Sequence, residues 1–290
     1  PKTLDDFKKV MLAFTNDDPD GNGVNDTVGY TDVKPVGNFN WAFAAYGLEH
    51  ADFGQDKDGK VIPVFETEAY KKGMEFVKDL WEAGAIDKEF MLNDNAKKEE
   101  KFYQGKSGAM VAALFRHVTR IEKSLQALEP NATIAYGLPP AGPDGKFGLS
   151  PQGKSGMFTA VTVDSKAPDK AADFLNFMLS KEGNDLLRLG IEGVHYTKDG
   201  DKLVMNEEER AKDSFSDNGW AHPLAWGTFY WPLESGYLPD TEPGKDRALE
   251  SIDLAYQAQI PNLMKQKTAA EMEFGTQLDS LVQQATISYL

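Results

Sequence analysis

Residues 102–114 read Phe-Tyr-Gln-Gly-Lys-Ser-Gly-Ala-Met-Val-Ala-Ala-Leu, and the reading of this stretch decides the fold class. Phe102–Gly105 has the signature of a helix closing on a glycine. Gly108–Leu114 is a short apolar run of strand length and reads as a buried strand. A helix that feeds directly into a buried strand is the repeating step of an α/β sheet. The flanking chain repeats the alternation. Thr3 opens a short helix with Leu4, Phe7, Val10, Met11 and Phe14 at helical spacing, and Asp6 three residues after the cap. Thr67 caps a second, in which Tyr70, Met74, Val77 and Trp81 share a face before the Ala83-Gly84 stop. Asp58-Gly59 and Asp199-Gly200 are hairpin turns. Thr133–Leu138, closed by two prolines, and the alternating run Met157–Val163 read as further strands. Pro168 opens a helix that turns Ala171, Phe174, Leu175 and Met178 inward, and the chain from about Glu207 is helical, interrupted by aromatics at Trp220–Trp231. The class is α/β, with no internal repeat.

At 290 residues the chain has room for about two domains. Charged residues make up 27% and hydrophobic ones 41%, an ordinary globular balance. Thirty-one basic against 46 acidic residues leave a net charge of −15, which lacks the basic footprint that nucleic acid or an anionic lipid surface requires. No cysteine is present, so disulfides, thiolate zinc sites and cysteine nucleophiles are excluded. The longest apolar runs are far too short to span a membrane. No signal peptide opens the chain, and both ends read as the middle of something longer.

The sharpest motif is Asp18-Pro-Asp20-Gly-Asn22-Gly23-Val24-Asn-Asp26. Calcium takes six to eight oxygens, and a loop offering them at positions 1, 3, 5, 7 and 9 with glycine at 6 wraps it. Asp18, Asp20, Asn22, the Val24 carbonyl and Asp26 fill those places, and three carboxylates this close repel one another until a cation neutralises them. Position 12 is Gly29 instead of a bidentate glutamate, and the chain after the loop reads as extended. The site would therefore be single and structural, with Thr27 or water completing the shell. An Asx-rich turn that binds nothing is the alternative.

Aromatics cluster at Phe39, Trp41, Phe43 and Tyr46, and again at Trp220, Trp226, Phe229, Tyr230 and Trp231. Half-exposed aromatic planes suit the C–H faces of sugar rings, and the alternative for each ring is core packing. Arg116 and His117 follow the run Gly108–Leu114, where a strand of an open sheet would meet a cleft; Arg116 would clamp hydroxyls or a carboxylate, or form a surface ion pair. Gly148-Leu-Ser-Pro-Gln-Gly153-Lys154-Ser155 matches the P-loop expression but has no strand before it and no helix after it. The four histidines lack metal-ligand spacing. No carboxylate pair stands out for glycoside hydrolysis, which stays open as the enzymatic alternative.

Taken in order, Pro1–Phe7, Asp18–Thr27, Gly59-Lys-Val-Ile-Pro63, Tyr70-Lys-Lys-Gly73, Phe102–Met110, Tyr136-Gly-Leu-Pro139 and Glu192-Gly-Val-His-Tyr196 resemble the family 1 extracellular solute-binding proteins of bacterial ABC importers. The likeness is greatest to the large Gram-positive lipoproteins of oligosaccharide type. It implies a periplasmic-binding-protein-like, type II, two-lobe α/β architecture that captures a carbohydrate and hands it to ABC permease subunits. It also implies a cell-surface, lipid-anchored location for the complete protein. The calcium loop is similar to that of alginate-binding relatives, with Thr27 at their acidic tenth position. The resemblance places sugar contacts at Phe39, Trp41, Tyr46, Arg116, His117, Trp226, Phe229 and Trp231. It divides the chain into a second lobe (1–156), a returning piece of the first (157–208) and second-lobe helices (209–290). A binding protein for a peptide or other non-sugar solute is a further alternative. Without the rest of the first lobe, Phe174 and Leu175 would be exposed.

Overall fold

The computed structural model describes residues 1–33, 39–50, 53–112, 117–149, 160–200, 202–213, 215, 245–261 and 268–290. The chain divides into two units, one of residues 1–113, 124–151 and 253–290, the other of 114–123 and 152–252. The first unit is thus assembled from three stretches of sequence. The chain leaves it at Leu114, returns at Ser124, leaves again at Gln152 and returns at Asp253.

In the first unit, α1 (Leu4–Asn16) starts on Thr3, whose hydroxyl accepts the Asp6 amide at 3.1 Å, and Asp5 and Asp6 sit favourably in its first turn. Leu4, Phe7 and Met11 are buried. β1 (Val28–Tyr30) pairs in parallel with β4 (Ser107–Ala109), Val28 opposite Ser107 and Tyr30 opposite Ala109. On its other side Tyr30 bridges Ile86, also in parallel, so β1 lies between two neighbours. Two glycines let α1 lie flat on these strands. A Cβ on Gly29 would stand 2.4 Å from the Met11 carbonyl oxygen, and one on Gly108 2.4 Å from the Phe14 ring.

α2 (Asn40–Ala45) buries Trp41 through Ala45 against α3 (Glu68–Glu82), which Thr67 caps by accepting the Tyr70 amide at 3.2 Å. Gly84, at φ 76°, ends α3. β2 (Phe53–Gln55) and β3 (Val61–Pro63) form the hairpin around Asp58-Gly59, with Gly59 at φ 78°. α4 (Asn95–Tyr103), capped by Asp94, delivers the chain to β4, and α5 (Lys123–Leu128) follows. Edge-on and tilted aromatic contacts among Phe7, Tyr30, Phe39, Trp41, Phe76 and Phe90 knit the core, with centroids 4.8–6.4 Å apart.

In the second unit, Pro168 stands at the first turn of α6 (Pro168–Leu179), and Ser180 caps α7 (Lys181–Leu189). β5 (Tyr196–Asp199) and β6 (Lys202–Met205) form the hairpin around Gly200, followed by α8 (Glu207–Lys212). Arg210, sealed from solvent, donates to the carbonyls of Arg188 and Leu189 and so satisfies the end of α7. Phe174 is half exposed on α6, Phe177 and Leu179 are also exposed, and Leu175 is half-buried. α9 (Lys245–Gln257) carries the chain back to the first unit, where α10 (Ala269–Tyr289) starts on a full capping box, Thr268 with Glu271.

Two strand expectations need correction. Residues 133–138 join no ladder, and β4 is three residues long, with 110–112 half-buried beyond it. An extended apolar run becomes a strand only where a partner edge is free, and periodicity does not report the partner. Residues 157–159 of the expected strand Met157–Val163 lie outside the described residues, and the remaining four, 160–163, form no strand.

Candidate functional site

Phe39 and Trp41 stand at the start of α2 and are 0% and 2% exposed. Phe39 meets Phe90 edge-on, and the Trp41 indole donates to the Tyr30 hydroxyl at 3.2 Å. Neither offers a face to a sugar; the first aromatic cluster is core, with Phe43 inside it as well. Tyr46, at the opposite end of α2, is half-buried. It lines a cavity of about 460 Å³ with Lys72, Glu75, Phe76, Pro143 and Asp144. Burial, and then the carboxylates of Asp5, Glu75 and Asp79, push its phenol up, so it stays a neutral donor. A ring, an ammonium and two carboxylates around a small cavity suit a polyhydroxylated ligand.

The acidic loop folds around Asn22. Asp18 accepts the amides of Asn22 at 3.1 Å and Gly23 at 2.8 Å, with Asp18 itself at φ 47°. The Asn22 side-chain NH2 donates to Asp20 at 2.9 Å and to Asp26 at 3.2 Å, and its oxygen accepts the Val24 amide at 2.7 Å. The Val24 carbonyl accepts the Asp26 amide. Asp26 also pairs with Lys106 at the head of β4; that hydrogen bond, then the one from Asn22, hold its carboxyl below the ordinary value. Thr27 is buried, and its hydroxyl donates to the Phe14 carbonyl, toward α1 and away from the loop. The donors are all oxygens, as a hard cation requires, and the cluster already attracts one cation, the lysine ammonium. Among the described residues, no three His, Cys, Asp or Glu side chains converge closely enough to hold a metal.

A third cluster lies at the carboxyl ends of β1 and β4, the place where open α/β sheets bind ligands. The Tyr30 hydroxyl donates to Asp32 at 2.5 Å, and Asp32, 0% exposed, accepts the Val33 amide at 2.8 Å. Lys98 of α4, 4% exposed, reaches Asp32 at 3.4 Å and the Val111 carbonyl at 2.6 Å. Beside it, Asp87 accepts from Thr31 at 2.8 Å, Asn93 at 2.9 Å and Lys101 at 2.8 Å. The sequence reading singled out none of these. The rule that drew attention to Arg116, a polar residue just past a strand, applies equally to Asp32.

Arg116, Trp226, Phe229 and Trp231 lie outside the described residues, as does the side chain of His117, and so does the P-loop-like segment beyond Leu149.

The family described as bacterial extracellular solute-binding protein matches residues 1–187, well over half of the chain. The chain belongs to that family. The chain is 28% identical over its whole length to the polygalacturonan/rhamnogalacturonan-binding protein YtcQ of Bacillus subtilis, covering 58% of it. It is 35% identical to lipoprotein LipO of the same organism over 217 residues, 69% of this chain and 41% of LipO. Its structure superposes on FusA of Streptococcus pneumoniae, solved with kestose, at TM-score 0.64 and 20% identity, covering all of this chain and 61% of FusA. The alginate-binding protein AlgQ2 gives 0.66 and 20%, covering 99% and 61%. The fold is therefore that of the two-lobe periplasmic binding proteins, and the chain spans about three-fifths of the length of YtcQ, FusA and AlgQ2. Among the described residues no helix is long and apolar enough to cross a membrane.

Proposed function

We propose that the chain is part of the extracellular substrate-binding component of an ABC importer, and that the protein captures a carbohydrate, most simply an oligosaccharide. The family match over residues 1–187 carries this reading. YtcQ, by its name, binds polygalacturonan and rhamnogalacturonan, and FusA, 41% identical over 100 residues, is a fructooligosaccharide ABC transporter substrate-binding protein. Capture would proceed by hinge closure, because a ligand that touches both lobes favours the closed state through its differential affinity. Its partners would be the ligand and the permease subunits. LipO's description as a lipoprotein supports a lipid-anchored position at the cell surface.

The acidic loop is proposed to hold a structural calcium ion through Asp18, Asp20, Asn22, the Val24 carbonyl and Asp26. Two structural neighbours support the reading: AlgQ2 was solved without calcium ion, and FusA as an EF-hand mutant. Bound there, the ion would supply positive charge to three carboxylates and fix the turn between α1 and β1. Tyr46 is the ligand-facing aromatic proposed among the described residues. Calorimetry with neutral oligosaccharides, galacturonan oligomers and peptides tests the proposal. Heat with a saccharide class alone supports it, and heat with peptides alone overturns it.

A further inference from the structure

The buried ion pair between Asp32 and Lys98 has no evident place in stability. Taking a carboxylate and an ammonium out of water costs several kcal/mol per ion, and well-packed apolar residues of similar volume commonly serve as well or better. What the pair does provide is geometry. The parallel strands exchange their last backbone bond where the Thr31 amide donates to the Ala109 carbonyl at 3.1 Å. Past that point the Lys98 ammonium bridges them, bonding the Val111 carbonyl on one side and Asp32 on the other. Asp32 is itself fixed by the Tyr30 hydroxyl and the Val33 amide, and its carbonyl accepts from Asn93 at 3.1 Å. The bridge extends the sheet's register by two residues at the rim where such folds take their ligands.

We infer that Lys98 and Asp32 are positioning residues for ligand binding, holding residues 31–33 and 110–112 in the fixed relation on which the binding rim is built. Both side chains are sealed, so neither touches the ligand; they act through the backbone they hold. Burial pushes the Asp32 carboxyl up, while the Lys98 ammonium and the Tyr30 hydroxyl draw it back, as expected of a pair that works as one unit. The inference rests on the saccharide-capture reading.

The test uses the full chain with Asp32→Asn and Lys98→Met combined, which removes both charges with little change of shape. Melting temperature, amide hydrogen exchange and affinity are measured for kestose, maltotriose and a rhamnogalacturonan oligomer. The expected result is a melting temperature within a few degrees of the parent, exchange at 110–112 faster by tenfold or more, and saccharide affinity lower by tenfold or more. Lys98→Met alone, which strands the Asp32 charge, is expected to melt lower than the double variant. The inference is overturned if the double variant melts normally with exchange and affinity within twofold of the parent. It is equally overturned if the double variant fails to fold, since the pair would then be structural. Should the parent bind none of these sugars, the capture reading fails by itself, and the exchange measurement still decides whether the pair positions the rim.

Discussion

Gly73 of α3 packs directly on Phe43 of α2: a Cβ built on the glycine would stand 2.4 Å from the Phe43 ring and 3.0 Å from its Cα. The backbones of the two helices are therefore as close as a missing side chain allows, and Phe76 of α3 meets the Trp41 ring edge-on. Gly73→Ala gains roughly 1 kcal/mol of helix propensity. It forces the helices apart at a cost of about 1–3 kcal/mol or more. Denaturant titration is expected to show a net loss of stability, and an unchanged midpoint would contradict the packing described.

Calcium should stabilise the chain. An ion that binds the folded loop and not the unfolded chain adds about 2.7 kcal/mol at a hundredfold excess over its dissociation constant. The melting temperature is expected to rise with calcium, to return with EDTA, and to stop responding in Asp20→Ala and Asp26→Ala. Lys106→Gln, which removes the ammonium already paired with Asp26, should tighten calcium binding. An unaltered melting curve at millimolar calcium would contradict the proposed site.

Asp87 makes stability depend on acid. Burial raises its carboxyl, but hydrogen bonds from Lys101, Asn93, the Glu89 amide and Thr31 outweigh burial, so its folded pKa lies below the ordinary 3.8. A depressed carboxylate contributes fully above the unfolded value and loses that contribution as the pH falls through the folded one. Asp87→Asn is expected to cost about 2–4 kcal/mol at pH 7. The gap between parent and variant should narrow only below 3.8. Comparing the two isolates Asp87 from Asp32, whose raised carboxyl titrates with the opposite sign. Urea titrations from pH 7 to pH 3 check this, and a gap that widens on acidification would contradict it.

The helix starts were legible in sequence because caps are local: Thr3, Thr67 and Pro168 each act within one turn of themselves. The Asp58-Gly59 and Asp199-Gly200 turns were legible for the same reason, since a positive φ at glycine is a one-residue requirement. The strand expected at 133–138 failed because pairing depends on a distant edge. Trp41 and Phe39 looked like a sugar platform because composition does not tell a sealed ring from an exposed one, and the rings that cover them, Phe76 on Trp41 and Phe90 on Phe39, come from far along the chain. Lys98 sits in the charged run Lys97–Lys101, which local chemistry places in solvent; only the approach of Asp32 and Val111 gives the ammonium an interior role. Gly29 stands in the loop's twelfth position because β1 lies against α1 there, a contact invisible until both elements are placed.

The central claim is saccharide capture, and isothermal titration of the full chain with a panel of oligosaccharides tests it most directly. A saturable heat with at least one saccharide, and none with peptides of matched charge, is the predicted result. Saturable binding of peptides with silence across the sugars would contradict it.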